Sequence, residues 1–534
     1  MNESRLTKTS QYPNYRFGGA VVLLSALSAA LYLGWTAASG RLGFPLDDGW
    51  IHQTYARNLA HTGQMAYVPG QPSAGSTSPL WTGLLSIGYL LRLDYRLWTY
   101  FLGAVGLALT AWTVYRLARR LFPDQPWAAP LAGLLCALEW HLAWAAFSGM
   151  ETILYTCLAL LLIDLQFSIH DSQFAIRNSQ FTIAAIVAGL LTLTRPEGLL
   201  LAGLVGLALL WHAWRKARWR GVLAVAGYGL AFAAVVSPWL AFNLRVSDQT
   251  FPNTFYAKQA EYRVYLTLPI WTRLARVLLP TFAAAQFLLI PGFLYAALRP
   301  LHYHTPTHSY TPTLPHSSFS SLSSLSPLSI FLPPLWWLLT VLVYALRLPV
   351  NYQHGRYLIP TIPLLILYGA GGTLRLLRPA SPRMGARVVS RSVLLATLVL
   401  LLAFWVRGAR VYADDTGFIE GEMVAVAGWL NANTEPEALI AVHDIGAVGY
   451  FTQRPLLDLA GLITPQVVPF IADETRLLAF MAERGAEYVV FFSDWSDAYH
   501  RMAQDPRLHA VYHSGYEWTR RQGMENMVVF KTEW

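Results

Sequence analysis

The chain has 534 residues, of which 54% are hydrophobic and 13% charged, with a mean hydropathy of +0.37. Soluble domains carry about 25% charged residues, so this composition excludes an ordinary soluble protein and indicates an integral membrane protein. The formal net charge is +9. Because the basic residues lie in loops between apolar runs, they indicate positive-inside topology, and we expect no nucleic acid partner. Cys136 and Cys157 each lie inside an apolar run, without the spacing of a zinc site.

Apolar runs predict about eleven transmembrane helices, since about 20 apolar residues match the thickness of the bilayer core. The predicted spans cover residues 17–38, 97–117, 127–147, 150–167, 181–194, 199–214, 222–242, 277–298, 328–346, 357–374 and 392–406. We interpret the shorter run 79–91 as an interfacial or re-entrant helix. Counting it as a span would place all later basic loops on the outer side, against the positive-inside rule.

If the N-terminus is cytoplasmic, the clusters of basic residues lie in cytoplasmic loops. One such cluster consists of Arg116, Arg119 and Arg120. Two of these loops have low-complexity sequence and are expected to be functionally empty. One contains a seven-residue repeat at 172–183, and the other is the Ser-, Thr-, Pro- and His-rich stretch 302–327. The four histidines of the second loop are an alternative metal-binding cluster, but a flexible loop is the favoured interpretation.

The sequence predicts two domains. Residues 1–407 form the transmembrane domain, with a first outer loop at 39–96, and residues 408–534 form a soluble extracytoplasmic α/β domain. The predicted elements of the α/β domain are a helix at 421–430, a strand at 438–442, a helix at 475–484 and a strand at 486–492. The predicted fold is therefore a mostly α, polytopic membrane bundle with a C-terminal α/β domain, located in the plasma (inner) membrane.

Two adjacent carboxylates, Asp47 and Asp48, directly follow the first apolar run. Charges at the membrane are costly to place and usually functional, so we predict that one of them is a catalytic base. The alternative is a helix N-cap, because residues 49–61 have a helical pattern and an Asp satisfies free N–H groups. Both interpretations hold if one Asp caps the helix while the other points elsewhere.

Other polar candidates lie on the same, outer side. Lys258 is flanked by aromatic residues, in a segment that is either an interfacial anchor or a sugar-stacking surface with the lysine facing an anion. Arg356 lies at the mouth of a span and is a candidate phosphate clamp. Arg57 either holds a carboxylate or phosphate, or extends to the interface as a lone arginine often does. The remaining candidate substrate-binding residues are Glu151, Arg195, Glu197, Asn253, Tyr256, His354 and Asp444.

In order along nearly the whole chain, these residues resemble the motifs of the GT-C superfamily of polytopic glycosyltransferases. The pattern is most similar to that of bacterial relatives of the mycobacterial arabinofuranosyltransferases. The acidic pair runs into a helix with the sequence Tyr55-Ala56-Arg57-Asn58-Leu59, and Ser78-Pro79-Leu80-Trp81 follows. Further matching points are Gly149-Met150-Glu151-Thr152, Arg195-Pro196-Glu197-Gly198, Pro252-Asn253-Thr254-Phe255-Tyr256-Ala257-Lys258, Gly355-Arg356-Tyr357, Asp444-Ile445-Gly446 and Asp458-Leu459.

The resemblance implies an inverting enzyme that moves a sugar from a polyprenyl-phosphate donor to an extracytoplasmic glycan, lipid or protein acceptor. It implies Asp47 or Asp48 as the general base, with Lys258, Arg356 and Arg57 at the phosphate. Some relatives use a divalent metal ion, which makes Asp48 a candidate metal ligand; no other cofactor is expected. The alternatives are a transporter or flippase of a lipid-linked saccharide, which should show internal repeats, and a non-catalytic assembly subunit.

Overall fold

The computed structural model describes residues 15–171, 178–217, 219–298, 327–377 and 383–534. Most of the predicted low-complexity sequence, at 172–177 and 302–326, lies outside the described residues, together with the four histidines of the second loop. The described chain is mostly helical and has two small sheets.

The membrane part consists of helices, with one short hairpin in the first outer loop. Its elements are α1 (Tyr15–Ala38), α2 (Asp47–Thr62), β1 (Ala66–Val68), β2 (Gln71–Pro72), α3 (Pro79–Leu90), α4 (Tyr95–Leu121), α5 (Ala128–Ala137), α6 (Trp140–Phe147), α7 (Thr152–Asp171), α8 (Asn178–Thr194), α9 (Gly198–Ala217), α10 (Trp219–Ser247), α11 (Asn253–Glu261), α12 (Ile270–Leu278), α13 (Gln286–Leu298), α14 (Pro327–Arg347), α15 (Tyr352–Gly355), α16 (Ile362–Leu377) and α17 (Met384–Ile419).

Eight helices of the described chain are long and apolar enough to cross a membrane, or up to ten if each of two bent pairs forms one span. The pairs are α5 with α6, bent by 47°, and Ile270–Phe282 with α13, bent by 109°. Ser179–Thr194 is a shorter apolar helix. The 12 residues of α3 are too few to cross the bilayer. The polytopic helical fold is confirmed, whereas the count of about eleven spans and the cytoplasmic N-terminus stay predictions.

The helix that carries the acidic pair, α2, begins at Asp47 itself. Leu46 occupies the N-cap position of α2 in an extended conformation, and no side chain among the described residues caps the helix. The predicted N-cap role is therefore wrong for both acids. Trp50, Ile51 and Tyr55 are buried and fix the helix in place. Both carboxylates thus lie in the first turn, free to bind other groups.

After α17 the helix continues through a π-helical turn, Glu420–Val424, into α18 (Ala425–Asn433). The predicted domain boundary at 407/408 lies inside α17 and stays a prediction. We call residues 434–534 the C-terminal sheet region. Its elements are β3 (Ile440–Val442), α19 (Ile445–Thr452), β4 (Leu456–Asp458), α20 (Glu474–Arg484), β5 (Tyr488–Phe492), α21 (Asp497–Met502), β6 (Leu508–His513), α22 (Glu517–Arg521) and β7 (Met527–Thr532). The strand order is β4-β3-β5-β7-β6, with β3 parallel to β4 and β5 and with β7 antiparallel to β5 and β6.

Glu422, in the π-helical turn, joins the long helix to the C-terminal sheet region. Its side chain is fully buried, and its carboxylate accepts hydrogen bonds from Thr519 Oγ1 at 2.5 Å, Asn526 Nδ2 at 2.7 Å and the Met527 backbone N–H at 2.8 Å. Ser514 donates a fourth hydrogen bond. A buried carboxylate is tolerated only when it is hydrogen-bonded in this way. The four donors therefore fix the sheet region to the helix.

We expect Glu422→Ala to lower the free energy of unfolding by about 3 kcal/mol, because several buried donors lose their acceptor. The measurement is thermal or denaturant unfolding of the full chain in detergent. Glu517→Ala is the control, since this exposed glutamate pairs only with exposed Arg521 among the described residues. Equal stability of the two variants would contradict the role of Glu422.

Candidate active site

A cavity of about 600 Å³ lies where the first outer loop and α2 meet α11, α14 and the segments that precede α7, α9 and α16. Seven of the predicted site residues line it. They are Asp48, Glu151, Arg195, Glu197, Tyr256, Lys258 and Arg356. Leu462, from the C-terminal sheet region, forms part of the same wall. Residues far apart in the sequence thus come together in one partly polar cavity.

Asp48 holds the centre of the site. Its Oδ2 accepts a hydrogen bond from Lys258 Nζ at 2.8 Å and is paired with Arg356 Nη2 at 2.6 Å. Burial alone would raise the pKa of the Asp48 carboxyl, but the charges of Lys258 and Arg356 outweigh it and hold that pKa well below its usual range. Asp48 is therefore ionised, and its Oδ2 atom binds the cationic side chains of both Lys258 and Arg356.

Arg356 has hydrogen-bond donors that no described residue accepts from. Its side chain is 3% exposed, and Nη2 also donates to the Tyr357 hydroxyl at 3.2 Å. Its Nε and Nη1 atoms are buried without a hydrogen-bond partner among the described residues. A planar guanidinium presents these donors in the geometry that matches a phosphate. Arg356 can therefore bind an oxyanion without giving up all its present contacts.

Asp47 points away from the cavity and binds the N-terminus of α19. Its Oδ2 accepts from the Gly446 backbone N–H at 2.6 Å, and its Oδ1 accepts from the Ala447 N–H at 2.8 Å. Burial, reinforced by the nearby Asp444 carboxylate, raises the pKa of Asp47 to about 7, although the two N–H donors oppose this. The adjacent acids thus have different partners and opposite pKa shifts.

A second polar cluster lines the cavity around Glu151. Its Oε1 pairs with Arg195 Nε at 2.9 Å, and its Oε2 lies 3.1 Å from His52 Nε2. Burial would raise the pKa of Glu151, but the hydrogen bond to His52 and the charge of Arg195 lower it to about 2. Glu197 accepts a hydrogen bond from the Tyr344 hydroxyl. The predicted pair Arg195 and Glu197 is thus brought to the cavity, where each contacts a different partner.

Sequence reasoning missed His52 and Tyr344. His52 lies four residues after Asp48 on α2, and this spacing places both side chains on one helix face. That signal was present in the sequence. Tyr344 lies in the last turn of the apolar helix α14, and nothing in its local sequence separates it from an interfacial tyrosine.

Four predicted site residues have other partners. Arg57 donates to the Tyr450 carbonyl at 2.8 Å and lies over the Tyr450 ring, and His354 Nε2 lies 2.7 Å from Asp415 Oδ2. The other two are Asn253, whose backbone N–H donates to the Ala74 carbonyl, and Asp444, whose Oδ2 lies 3.5 Å from His443 Nδ1. The structure does not bring Arg57 or His354 to Asp48.

Asp48 as a ligand of a divalent metal ion stays a prediction. Its Oδ2 contacts two cationic side chains, and the described residues contain no group of three His, Cys, Asp or Glu side chains that could hold a metal ion.

Residues 407–530 match a sequence family described as a domain of unknown function, DUF8728. No curated protein matches the chain. Among solved structures, ArnT from Cupriavidus metallidurans bound to undecaprenyl phosphate matches with a TM-score of 0.54 and 16% identity, over 96% of this chain and 98% of ArnT. The apo oligosaccharyltransferase of Archaeoglobus fulgidus matches with a TM-score of 0.57 and 15% identity, over 93% of this chain and 72% of that one.

These matches define the class of fold. Both solved proteins are GT-C glycosyltransferases, and this chain has the GT-C fold along most of its length. The resemblance inferred from the sequence motifs is confirmed at the level of fold, as is the mostly α bundle with a small C-terminal sheet.

The raised pKa of Asp47 predicts a pH dependence of stability. The unfolded chain loses the Asp47 proton near pH 4, whereas the folded protein holds it up to about pH 7. The folded state therefore binds more protons in this window, and its stability should fall as the pH rises through it. We expect Asp47→Asn to lack this contribution, so that the difference in unfolding free energy between wild type and variant changes between pH 4 and 7. A difference that is constant with pH would contradict the assignment.

Proposed function

We propose that this protein is a membrane glycosyltransferase that moves a sugar from a polyprenyl-phosphate donor to a hydroxyl of a glycan, lipid or protein acceptor. The reaction takes place at the extracytoplasmic face of the inner membrane and inverts the anomeric centre. The observation that carries the proposal is the meeting of Asp48, Lys258 and Arg356 in one cavity of a chain with the GT-C fold. The solved ArnT structure holds undecaprenyl phosphate, which supports a lipid-linked donor.

Lys258 and Arg356 are the proposed phosphate ligands. Both already contact the Asp48 carboxylate oxygen Oδ2. Arg356 has two further nitrogen atoms that have no hydrogen-bond partner among the described residues. Charge-assisted hydrogen bonds to phosphate are about twice as strong as neutral ones. Fixed cations aimed at the departing phosphate also stabilise the negative charge that develops as the sugar leaves.

Asp48 is the proposed general base. When the donor phosphate shares Lys258 and Arg356, the positive field at Asp48 decreases and its pKa rises toward the range in which it accepts a proton. The acceptor oxygen attacks the anomeric carbon from the face opposite the phosphate, and its proton passes to Asp48. The bond from the anomeric carbon to the phosphate oxygen breaks, and polyprenyl phosphate leaves with the electron pair. Asp47 has no comparable position, because its oxygens bind α19.

We expect Asp48→Asn to reduce sugar transfer by about 10²- to 10⁴-fold, the usual contribution of a general base, while polyprenyl phosphate still binds. The assay incubates purified protein with a panel of polyprenyl-phosphate sugars and measures release of polyprenyl phosphate. Asp94→Asn, on the same loop, is the matched control, because Asn replaces Asp well at the N-cap that Asp94 occupies.

Two outcomes would overturn the enzyme proposal. Wild-type rates in Asp48→Asn would favour a non-catalytic assembly subunit. Movement of the intact donor across a vesicle membrane, without release of polyprenyl phosphate, would favour a transporter or flippase.

We expect Lys258→Ala and Arg356→Ala each to raise the KM for the donor by about tenfold or more, since a hydrogen bond to a charged group contributes about 1.5–3 kcal/mol. Initial rates at varied donor concentration measure this effect, and binding of polyprenyl phosphate alone gives a second reading. Arg96→Ala is the control, because Arg96 pairs with Asp94 outside the cavity. A donor KM that changes equally in all three variants would contradict the assignment.

A further inference from the structure

We infer that the C-terminal sheet region positions the active site, by holding Asp48 and Lys258 through two contacts outside the cavity. The first contact, which we call the α19 clasp, joins Asp47 to Gly446 and Ala447. The second, which we call the His443 clasp, joins Glu261 to His443. The inference rests on the proposed function of Asp48 and Lys258. It gives a role to a region that lies largely within the match to a domain of unknown function, at residues 407–530.

The α19 clasp acts on the residue next to the proposed base. Both side-chain oxygens of Asp47 accept hydrogen bonds from N–H groups that have no partner within the first turn of the helix. The approach is very close, because a methyl group at Gly446 would lie 2.0 Å from the Asp47 carbonyl oxygen. Tyr67 adds a hydrogen bond from its hydroxyl to the Ile445 carbonyl at 2.5 Å. The first turn of α2, and with it Asp48, is thus located by α19.

The His443 clasp acts on the helix that carries Lys258. Glu261 lies three residues after Lys258 on α11, and its Oε1 is 3.4 Å from His443 Nε2. Trp495 and Tyr499 enclose the His443 ring, with ring centroids at 4.9 and 5.3 Å. Burial opposes the charge on His443, but the carboxylates of Asp444 and Glu261 raise the pKa of the ring well above its ordinary value. Glu261 and His443 thus meet at ion-pair distance where α11 contacts the C-terminal sheet region.

The two clasps hold opposite members of one ion pair. Asp48 lies on α2 and Lys258 on α11, and their separation of 2.8 Å depends on how these two helices are placed. His443 lies between the end of β3 at Val442 and the start of α19 at Ile445, so both contacts come from one short stretch of the chain. A shift of this stretch would move the proposed base and a phosphate ligand together. Displacements of about 1 Å at a reacting centre can reduce rates about 10²-fold.

The clasps are not needed to attach the sheet region to the rest of the protein. Glu422 already fixes that region to the long helix with four hydrogen bonds. Loss of a clasp should therefore leave the chain folded and change the geometry of the cavity. A variant that stays folded but loses activity therefore indicates a positioning role, whereas a variant that unfolds indicates a structural one.

The test uses a substitution that touches no residue of the cavity. Gly446→Ala places a methyl group against Asp47, whereas Gly428→Ala, in α18, meets nothing within 4 Å and serves as the matched control. We expect Gly446→Ala to lower kcat for sugar transfer by tenfold or more in the folded protein, with a lower unfolding midpoint because the methyl group meets the Asp47 backbone, and Gly428→Ala to behave as wild type. The double variant Gly446→Ala/Asp48→Asn should be no slower than Asp48→Asn, because the glycine acts through Asp48.

The His443 clasp has its own measurement. Glu261→Gln and His443→Gln should each raise the donor KM several-fold through Lys258, and neither should add to the effect of Lys258→Ala.

If Gly446→Ala, Glu261→Gln and His443→Gln all keep wild-type kinetics while Asp48→Asn is inactive, the positioning role is wrong and the enzyme proposal stands. If additive losses appear in the double variants, the contacts do not act through Asp48 and Lys258, and the positioning role is wrong. If Asp48→Asn itself keeps wild-type rates, the proposed function fails.

Discussion

One carboxylate oxygen, Asp48 Oδ2, is shared by two cations that come from α11 and from the segment before α16. Each of these charges alone would be expensive to bury beside membrane helices, because desolvation of an isolated ion costs several kcal/mol. Together they compensate one another only while the three segments keep their distances. The arrangement of the outer loop and of α11 is therefore constrained by electrostatics as well as by packing. A site built on such a pair is prepared for an anion, because a phosphate can replace part of the carboxylate as the partner of the cations.

The different partners of two neighbouring acids follow from helix geometry. Successive residues of an α-helix point about 100° apart, so Asp47 and Asp48 cannot face the same surface. One faces the cavity and the other faces α19. The same backbone turn therefore supplies both the proposed chemistry and the contact that locates it. Environment then separates their acidities, with one pKa lowered by cations and the other raised by burial.

The sequence predicted what depends on local pattern and missed what depends on tertiary contact. Hydrophobic runs identified the helices, and the predicted strands at 438–442 and 486–492 correspond to β3 and β5. The other strands of that sheet were missed. β4 has only three residues, β6 is mostly exposed, and β7 carries the short apolar run Met527–Phe530, which the prediction did not use. The motif residues Lys258 and Arg356 reached the cavity, while Arg57 and His354 turned to Tyr450 and Asp415. A motif fixes the position of a residue on its helix, but the direction of its side chain depends on helices distant in the sequence.

The fold also separates attachment from alignment. The long helix from α17 through the π-helical turn to α18 carries the C-terminal sheet region, and the buried Glu422 network holds it there. The same region also packs on α2 through apolar contacts, among them those of Trp50 with Tyr450 and Phe451. The contacts of Asp47 and Glu261 add a few directional polar groups at this interface. Hydrogen bonds depend on distance and angle more sharply than apolar contacts do, so the polar groups can set the position of Asp48 while the packing and the Glu422 network supply the stability.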